Sequence, residues 1–296
     1  MNAENFKTVT DKSLPLKDVL GIKSYSYDSC NFYLLKNELE HFQEIMTKKG
    51  NCSTDDAATR IAYGNVFDSH AIAFYLYNFA ALKTINTFIP KKHECSLLEL
   101  GCNNGHVSRL LQRNGFRFKE YWGVDFDFSF IVDGLKSFTD QDNMFKSNFC
   151  SGDFNKPLNF KDDYFDIVFF QEAFDHCKDR FFYAEQCLSE IRRVLKPNAF
   201  FYITLVFENE HRDLYHWDHN YIWKKNDFEN IIKDYFEIVN FMPLLTFEHT
   251  LQTSKDKNVI KVLNNWPTKI AKQFCAPFVD ENETAVGAYF LRKHSI

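Results

Sequence analysis

The chain has 296 residues, enough for one large α/β domain or for a core domain carrying a substantial accessory region. A hydrophobic fraction of 45%, with 33 Phe and 14 Tyr, excludes a generally disordered chain and makes aromatic packing the default account of any single ring. The 35 Lys and Arg against 40 Asp and Glu give a formal charge of -5 with no basic arm, which disfavours nucleic acid held by its phosphates and raises a small or protein-borne substrate.

The longest apolar stretches, such as Ala71 to Leu82, contain polar breaks and fall well short of the roughly 20 residues of a bilayer span, so no membrane span is expected. Met1 to Lys12 lacks the apolar core of a secretory signal, and the expected setting is cytoplasmic. The eight cysteines form no CxxC pair, which points to reduced thiols rather than a zinc site or a disulfide framework.

In chain order, the first 28 or so residues show no firm period and read as a loose arm. From Asn31, the spacing of Phe32, Leu35, Leu39, Phe42 and Ile45 predicts an amphipathic helix ended by Gly50. A second helix is predicted from about Ser69 to Ile89, closed by Pro90. Cys95 to Leu100 then reads as a strand, followed by a turn and by a helix opened at Gly105. Tyr121 to Val124 is the next strand with Asp125 at its tip, Phe128 to Phe138 a crossover helix, and Phe145 to Phe149 a short strand. The unbroken apolar run Ile167 to Phe170 within Phe165 to Phe170 suits a strand covered on both faces.

A helix over Phe181 to Leu195 is stopped by Lys196-Pro197-Asn198, and Phe200 to Phe207 is the fifth strand. Asn226 is expected to cap a helix through Tyr235, with a strand over Phe236 to Phe241. Ala285 to Leu291 closes the chain as an edge or antiparallel strand. Strands separated by helices imply a mostly parallel sheet with helices on both faces. Residues 1–92 are assigned to an N-terminal arm and helical cap and 93–296 to the core domain, with 208–225 and 243–283 as acceptor-site or lid segments.

The sharpest text is Leu97-Leu98-Glu99-Leu100-Gly101-Cys102-Asn103-Asn104-Gly105-His106. A turn passing close to a ligand needs residues without bulky side chains; Gly101 and Gly105 supply them, and Asn103 tolerates the left-handed region. A dinucleotide site would use G-x-G-x-x-G to approach a pyrophosphate, which Glu99 would repel. The same carboxylate attracts an ammonium group. Asp125 lies 20 residues beyond Gly105 at the next strand tip, where a carboxylate can accept bonds from two ribose hydroxyls. Gly152-Asp153-Phe154 adds an acceptor and a flat apolar ring, although Phe154 can equally fill the core.

These segments resemble the motifs of class I S-adenosylmethionine-dependent methyltransferases, in particular the small-molecule methyltransferase type 11 and type 25 group. Asp166 to His176 is similar to that family's fourth strand and following loop, and Leu188 to Asn198 to the helix and turn before its fifth. Asn103 and Asn198 stand where the family usually has glycine, substitutions compatible with positive φ. The resemblance spans roughly Cys95 to Phe241. It implies an α/β, Rossmann-like seven-stranded mostly parallel sheet with helices on both faces, an N-terminal helical cap and an insertion before the last strand.

It further implies that S-adenosyl-L-methionine is bound by Glu99, Gly101, Asn103, Gly105, His106, Asp125, Phe126, Asp153, Phe154 and Gln171, with Asp153 and Phe154 at the adenine. His176 and His219 are the candidate bases for the proton that leaves the nucleophile, and His176 can alternatively brace its loop. Tyr63, His70, Glu172, Tyr215, Trp217, Tyr221 and Trp223 are candidate acceptor contacts, while Asp68 and Ser69 equally suit a helix start. The dispersed acids offer no facial triad, so no metal is expected. The expected reaction is methyl transfer to a small-molecule acceptor, with oxygen as the favoured nucleophile. An RNA or protein methyltransferase, or an inactive cofactor-binding protein of the same fold, are the alternatives.

Overall fold

The computed structural model describes residues 7–8, 22–27, 30–35, 80–103, 105–126, 146–154, 156–171, 173–174, 182–207, 223–246 and 284–294. Among them lie ten strands: β1 (Lys7–Thr8), β2 (Ile22–Tyr27), β3 (Cys30–Leu35), β4 (Ser96–Leu100), β5 (Glu120–Asp125), β6 (Lys146–Ser151), β7 (Phe165–Phe170), β8 (Leu195–Val206), β9 (Phe236–Thr246) and β10 (Thr284–Lys293). The described helices are α1 (residues 80–88), α2 (His106–Arg113), α3 (Phe182–Val194) and α4 (Lys225–Ile232).

All ten strands join one sheet in the order β1-β2-β3-β6-β5-β4-β7-β8-β10-β9. Its seven-stranded part, β6 to β9, is the Rossmann-like core: β4 to β8 are mutually parallel, and β10 runs antiparallel between β8 and β9. The strand order reverses beside β4, which has β5 on one side and β7 on the other. In an open α/β sheet that reversal leaves a crevice at the carboxyl ends of the strands, where ligands bind.

Both faces are covered, which explains the unbroken apolar text of the central strands. On one face Leu98, Trp122, Val168 and Phe201 pack with Leu188 and Ile191 of α3 and Phe228 and Ile232 of α4. On the other, Gln112 of α2 reaches Ser147 of β6 at 3.5 Å, and Phe88 of α1 stacks on Phe290 of β10 at 4.7 Å. Phe290 stacks in turn on Phe200 at 4.8 Å, so α1 is tied to the sheet through aromatic rings. No described helix is long and apolar enough to cross a membrane.

The amino-terminal region departs from its sequence reading. Cys30–Leu35, expected to begin a helix at Asn31, is a strand parallel to β6, and β2 and β1 extend the sheet from it within the expected loose arm. Phe32 and Leu35 fit a three-residue helical spacing, but Cys30, Phe32 and Leu34 equally alternate, and the unpaired edge of β6 supplies backbone partners that local periodicity does not reveal. Strands from both sides of residue 92 therefore share one sheet. The remainder of the expected first helix, and the second before residue 80, lie outside the described residues, as does the crossover helix over 128–138.

Two strand ends also differ. Lys196-Pro197-Asn198, expected as a turn, lies inside β8, where a register shift between the pairs Phe165 with Leu195 and Ile167 with Phe200 absorbs it and Asn198 takes φ 61°. Pro243, expected to open the lid segment 243–283, is in β9, which among the described strands pairs with β10 alone and so tolerates a residue without an N–H. β10 is antiparallel as expected, but interior.

Candidate active site

The glycine turn closes β4 at the point where the strand order reverses. Gly101, Asn103 and Gly105 adopt φ of 67°, 46° and 73°, so the asparagine does occupy a left-handed position. A Cβ on Gly101 would lie 2.3 Å from the Cβ of Ala173, just beyond β7. The turn is thus pressed against the loop after the neighbouring strand, and only glycine fits. Cys102 N–H donates to Val124 O at 3.0 Å and Gly105 N–H to Cys102 O at 2.8 Å, which folds the turn back over the tip of β5. Cys102 rests on Gly123, where a Cβ would meet its Sγ at 2.8 Å.

Asp125, at the end of β5, accepts the Asn103 N–H at 2.7 Å and is 6% exposed. One bond therefore joins the second strand tip to the turn of the first. Glu99 is buried in β4 and accepts the phenolic hydroxyl of Tyr121 on β5. Burial pushes the Cys102 thiol well up from its ordinary value, with the negative fields of Asp125 and Glu99 adding to the shift. Among the described residues, Cys95, Cys102, Cys150 and Cys187 take part in no disulfide.

Beside Asp125 opens a cleft of about 560 Å³, lined by the tips of β5 and β6 and by the segment after them. Val124, Leu158 and Phe160 form apolar walls; Ser151, Asp153 and Asn159 supply polar groups. Phe126 stands at its mouth, 71% exposed. Asp153 faces Lys156 across 3.5 Å, and Gly152 N–H donates to Asp125 O at 2.9 Å. The volume, the apolar walls and the few polar groups suit a nucleoside.

Of the residues expected at the adenine, Asp153 lines the cleft, whereas Phe154 packs edge-on against Phe170 at 4.9 Å and belongs to the core. The aromatic residues lining the cleft are Phe126 and Phe160. Gln171 lies buried at the end of β7, two residues from the Ala173 that abuts Gly101. His106 begins α2. Trp223, expected among the acceptor contacts, is 1% exposed and stacks against Phe174 at 5.7 Å with Phe228 edge-on to it. Its indole packs the core, and the main-chain N–H of Trp223 donates to Val206 O at 3.2 Å, docking the chain after residue 222. Tyr63, His70, Glu172, His176, Tyr215, Trp217, His219 and Tyr221 lie outside the described residues.

Sequence reading missed Tyr121 as the partner of Glu99, and it missed the cleft wall Pro157-Leu158-Asn159-Phe160. The wall carries no sequence signal beyond a proline close behind Asp153.

Residues 98–203 match the family model described as a methyltransferase domain. They span β4 to β8 and so contain the turn, both strand-tip carboxylates and the cleft. Over that stretch the chain matches the methyltransferase domain, and its sheet has the Rossmann-like order of the class I S-adenosylmethionine-dependent methyltransferases. Its cofactor is S-adenosylmethionine, and its chemistry is methyl transfer. No curated sequence matches this methyltransferase.

Solved structures share its fold at low identity. One is a chain of the complex between the Haloferax volcanii Trm112 methyltransferase activator and a protein assigned as a methyltransferase: 19% identical, TM-score 0.52, covering 82% of this chain and 97% of that one. Another is Haemonchus contortus phosphoethanolamine N-methyltransferase 2, in complex with phosphomonomethylethanolamine and S-adenosylhomocysteine: 18% identical, TM-score 0.53, covering 86% of this chain and 60% of that one. A third is a Galdieria sulphuraria protein assigned as a sarcosine dimethylglycine methyltransferase: 14% identical, TM-score 0.51, covering 76% and 86%. At these identities the likeness establishes the fold alone.

Proposed function

We propose that this methyltransferase alkylates an oxygen nucleophile of a small-molecule acceptor, with the cofactor held across the turn and the adjoining cleft. The observation that carries the reading is the 2.7 Å bond from Asn103 N–H to the Asp125 carboxylate, because it fixes the glycine turn and a strand-tip acid around one crevice. In this reading Asp125 accepts the ribose hydroxyls, Asp153 the adenine amino group, and Phe126 covers the base. Glu99, oriented by Tyr121, faces the cofactor's ammonium group, and Gly101, Asn103, Gly105, His106 and Gln171 shape the methionine side.

The cofactor supplies a methyl group already activated by its sulfonium. The protein's work is to align an acceptor lone pair with the methyl-sulfur bond, exclude water and take the departing proton. His176 and His219 are the proposed proton acceptors. Glu172, Tyr63, His70, Tyr215, Trp217 and Tyr221 are the proposed acceptor contacts. A small acceptor is supported by the formal charge of -5 and by two fold relatives whose names specify small amines.

Calorimetric titration with S-adenosylhomocysteine, followed by an assay of its production from S-adenosylmethionine across alcohols, phenols and amines, tests the proposal. Binding with turnover on an oxygen acceptor supports it; turnover on amines alone replaces the oxygen; no binding removes the whole reading. The fold shared with a protein found in complex with a methyltransferase activator favours, as a second reading, an enzyme that works with a protein partner, and activity that appears only with an activator protein present would support it.

A further inference from the structure

We infer that Glu190 and Arg193, one turn apart on α3, are positioning residues for the nucleoside half of the cofactor, acting through the segment that walls the cleft. Neither side chain lines the cleft. The Arg193 guanidinium donates from Nη1 to Phe160 O at 2.7 Å and from Nη2 to Leu158 O at 2.9 Å. Its Nε and Nη2 donate to the two oxygens of Glu190 at 2.9 and 2.8 Å. Glu190 Oε2 also accepts the Leu158 N–H at 2.7 Å.

Three main-chain groups of the wall are thereby drawn to one turn of a rigid helix. Leu158 and Phe160 are the residues whose other side bounds the cleft. Phe160 is wedged further, edge-on to Trp122 at 5.5 Å and to Phe165 at 5.1 Å. A planar fork paired with a carboxylate holds its donors in fixed directions, which a flexible ammonium does not. The pair is partly buried, with side-chain exposures of 20% and 16%. Its remaining bond, to Asp162 at 2.5 Å, reaches a carboxylate that is 64% exposed and serves as a tether on the solvent side.

This inference rests on the cleft being the nucleoside site. With these three main-chain groups held by α3, Leu158 and Phe160 turn apolar surface to the cleft at a fixed distance from the tips of β5 and β6, one side of a slot for a flat base. Releasing the wall widens the slot.

The test uses the full chain, with calorimetric titration of S-adenosylhomocysteine and of adenosine into wild type, Arg193→Met, Arg193→Lys, Glu190→Gln and the distant surface control Arg292→Met. Arg193→Met is expected to raise both dissociation constants by about tenfold at unchanged stoichiometry, since loose support of a binding wall costs affinity. Arg193→Lys and Glu190→Gln are expected to fall between it and wild type, and the control to match wild type. A role in folding alone would lower the unfolding midpoint or the binding-competent fraction and leave the dissociation constants in place; that result overturns the inference. So does a loss seen for S-adenosylhomocysteine but not for adenosine. If Arg193→Met does not fold, Arg193→Lys and Glu190→Gln decide on the same criteria. Wild type that binds neither ligand instead overturns the underlying reading of the cleft.

Discussion

The two ends of the parallel sheet both bury carboxylates, and they use them differently. At the amino end, Glu120 accepts Ser96 Oγ at 3.0 Å, Trp122 Nε1 at 3.0 Å and the Tyr164 hydroxyl at 2.5 Å, while Asp166 takes the Ser96 N–H at 2.9 Å and both its oxygens the Lys196 ammonium at 2.8 Å. These bonds run inward, between strands and their own side chains. At the carboxyl end, Asp125 holds a left-handed turn and adjoins a cleft. A buried acid with local partners is a fastener; it becomes a site when a strained turn and an open volume meet it. Substitutions at the two ends should therefore separate stability from binding.

The largest effect is expected at the turn itself. Gly101→Ala combines a left-handed backbone with a Cβ at 2.3 Å from that of Ala173, and should destabilise by about 2–5 kcal/mol in urea unfolding, since αL costs roughly 1–2 and overpacking about 1–3. A stability near wild type would mean that the turn is not pressed against the β7 loop. Next comes Glu120→Ala, which strips the acceptor from three donors and should cost about 3 kcal/mol of stability, with S-adenosylhomocysteine affinity within about twofold. Asp125→Ala should do the reverse: a loss of about 1–3 kcal/mol in cofactor affinity, some five- to 150-fold, from a charge-assisted bond to the ribose. If both variants moved affinity alike, the contrast between the ends would fail.

How far this division was legible in the text depends on whether neighbours in space were also neighbours in sequence. The turn could be read because Glu99, Gly101, Asn103 and Gly105 are contiguous, and the left-handed asparagine followed from side-chain chemistry alone. Ile167 to Phe170 announced a strand covered on both sides. The wall at Leu158 could not be read, because what holds it is on α3 some 30 residues later. Likewise Phe154 and Trp223 look like ligand-stacking rings in sequence, and only packing against Phe170, Phe174 and Phe228 assigns them to the core. Cys30–Leu35 failed for the same reason: the edge of β6 that recruits it is over 100 residues away.

The smallest expected effect lies at alkaline pH and touches both ends of the sheet. Burial raises the Cys102 thiol beneath the turn well above its ordinary 9.0, and raises Cys95 beside the amino end of β4 to about 11, with Asp166 as the next cause. A raised value in the folded state means that, above pH 9, the unfolded chain has released a proton that the folded chain still holds. Their contribution is fully present below pH 9 and is lost as pH climbs through the folded values, so stability should decline from pH 9 towards 11. Unfolding midpoints of Cys95→Ala and Cys102→Ala across that window should each show a shallower decline than wild type. Asp125→Asn removes one of the negative fields acting on Cys102 and should accelerate its alkylation at pH 9 while leaving Cys95 unchanged. Equal acceleration at both thiols would show a general opening of the sheet instead of a local field at its carboxyl end.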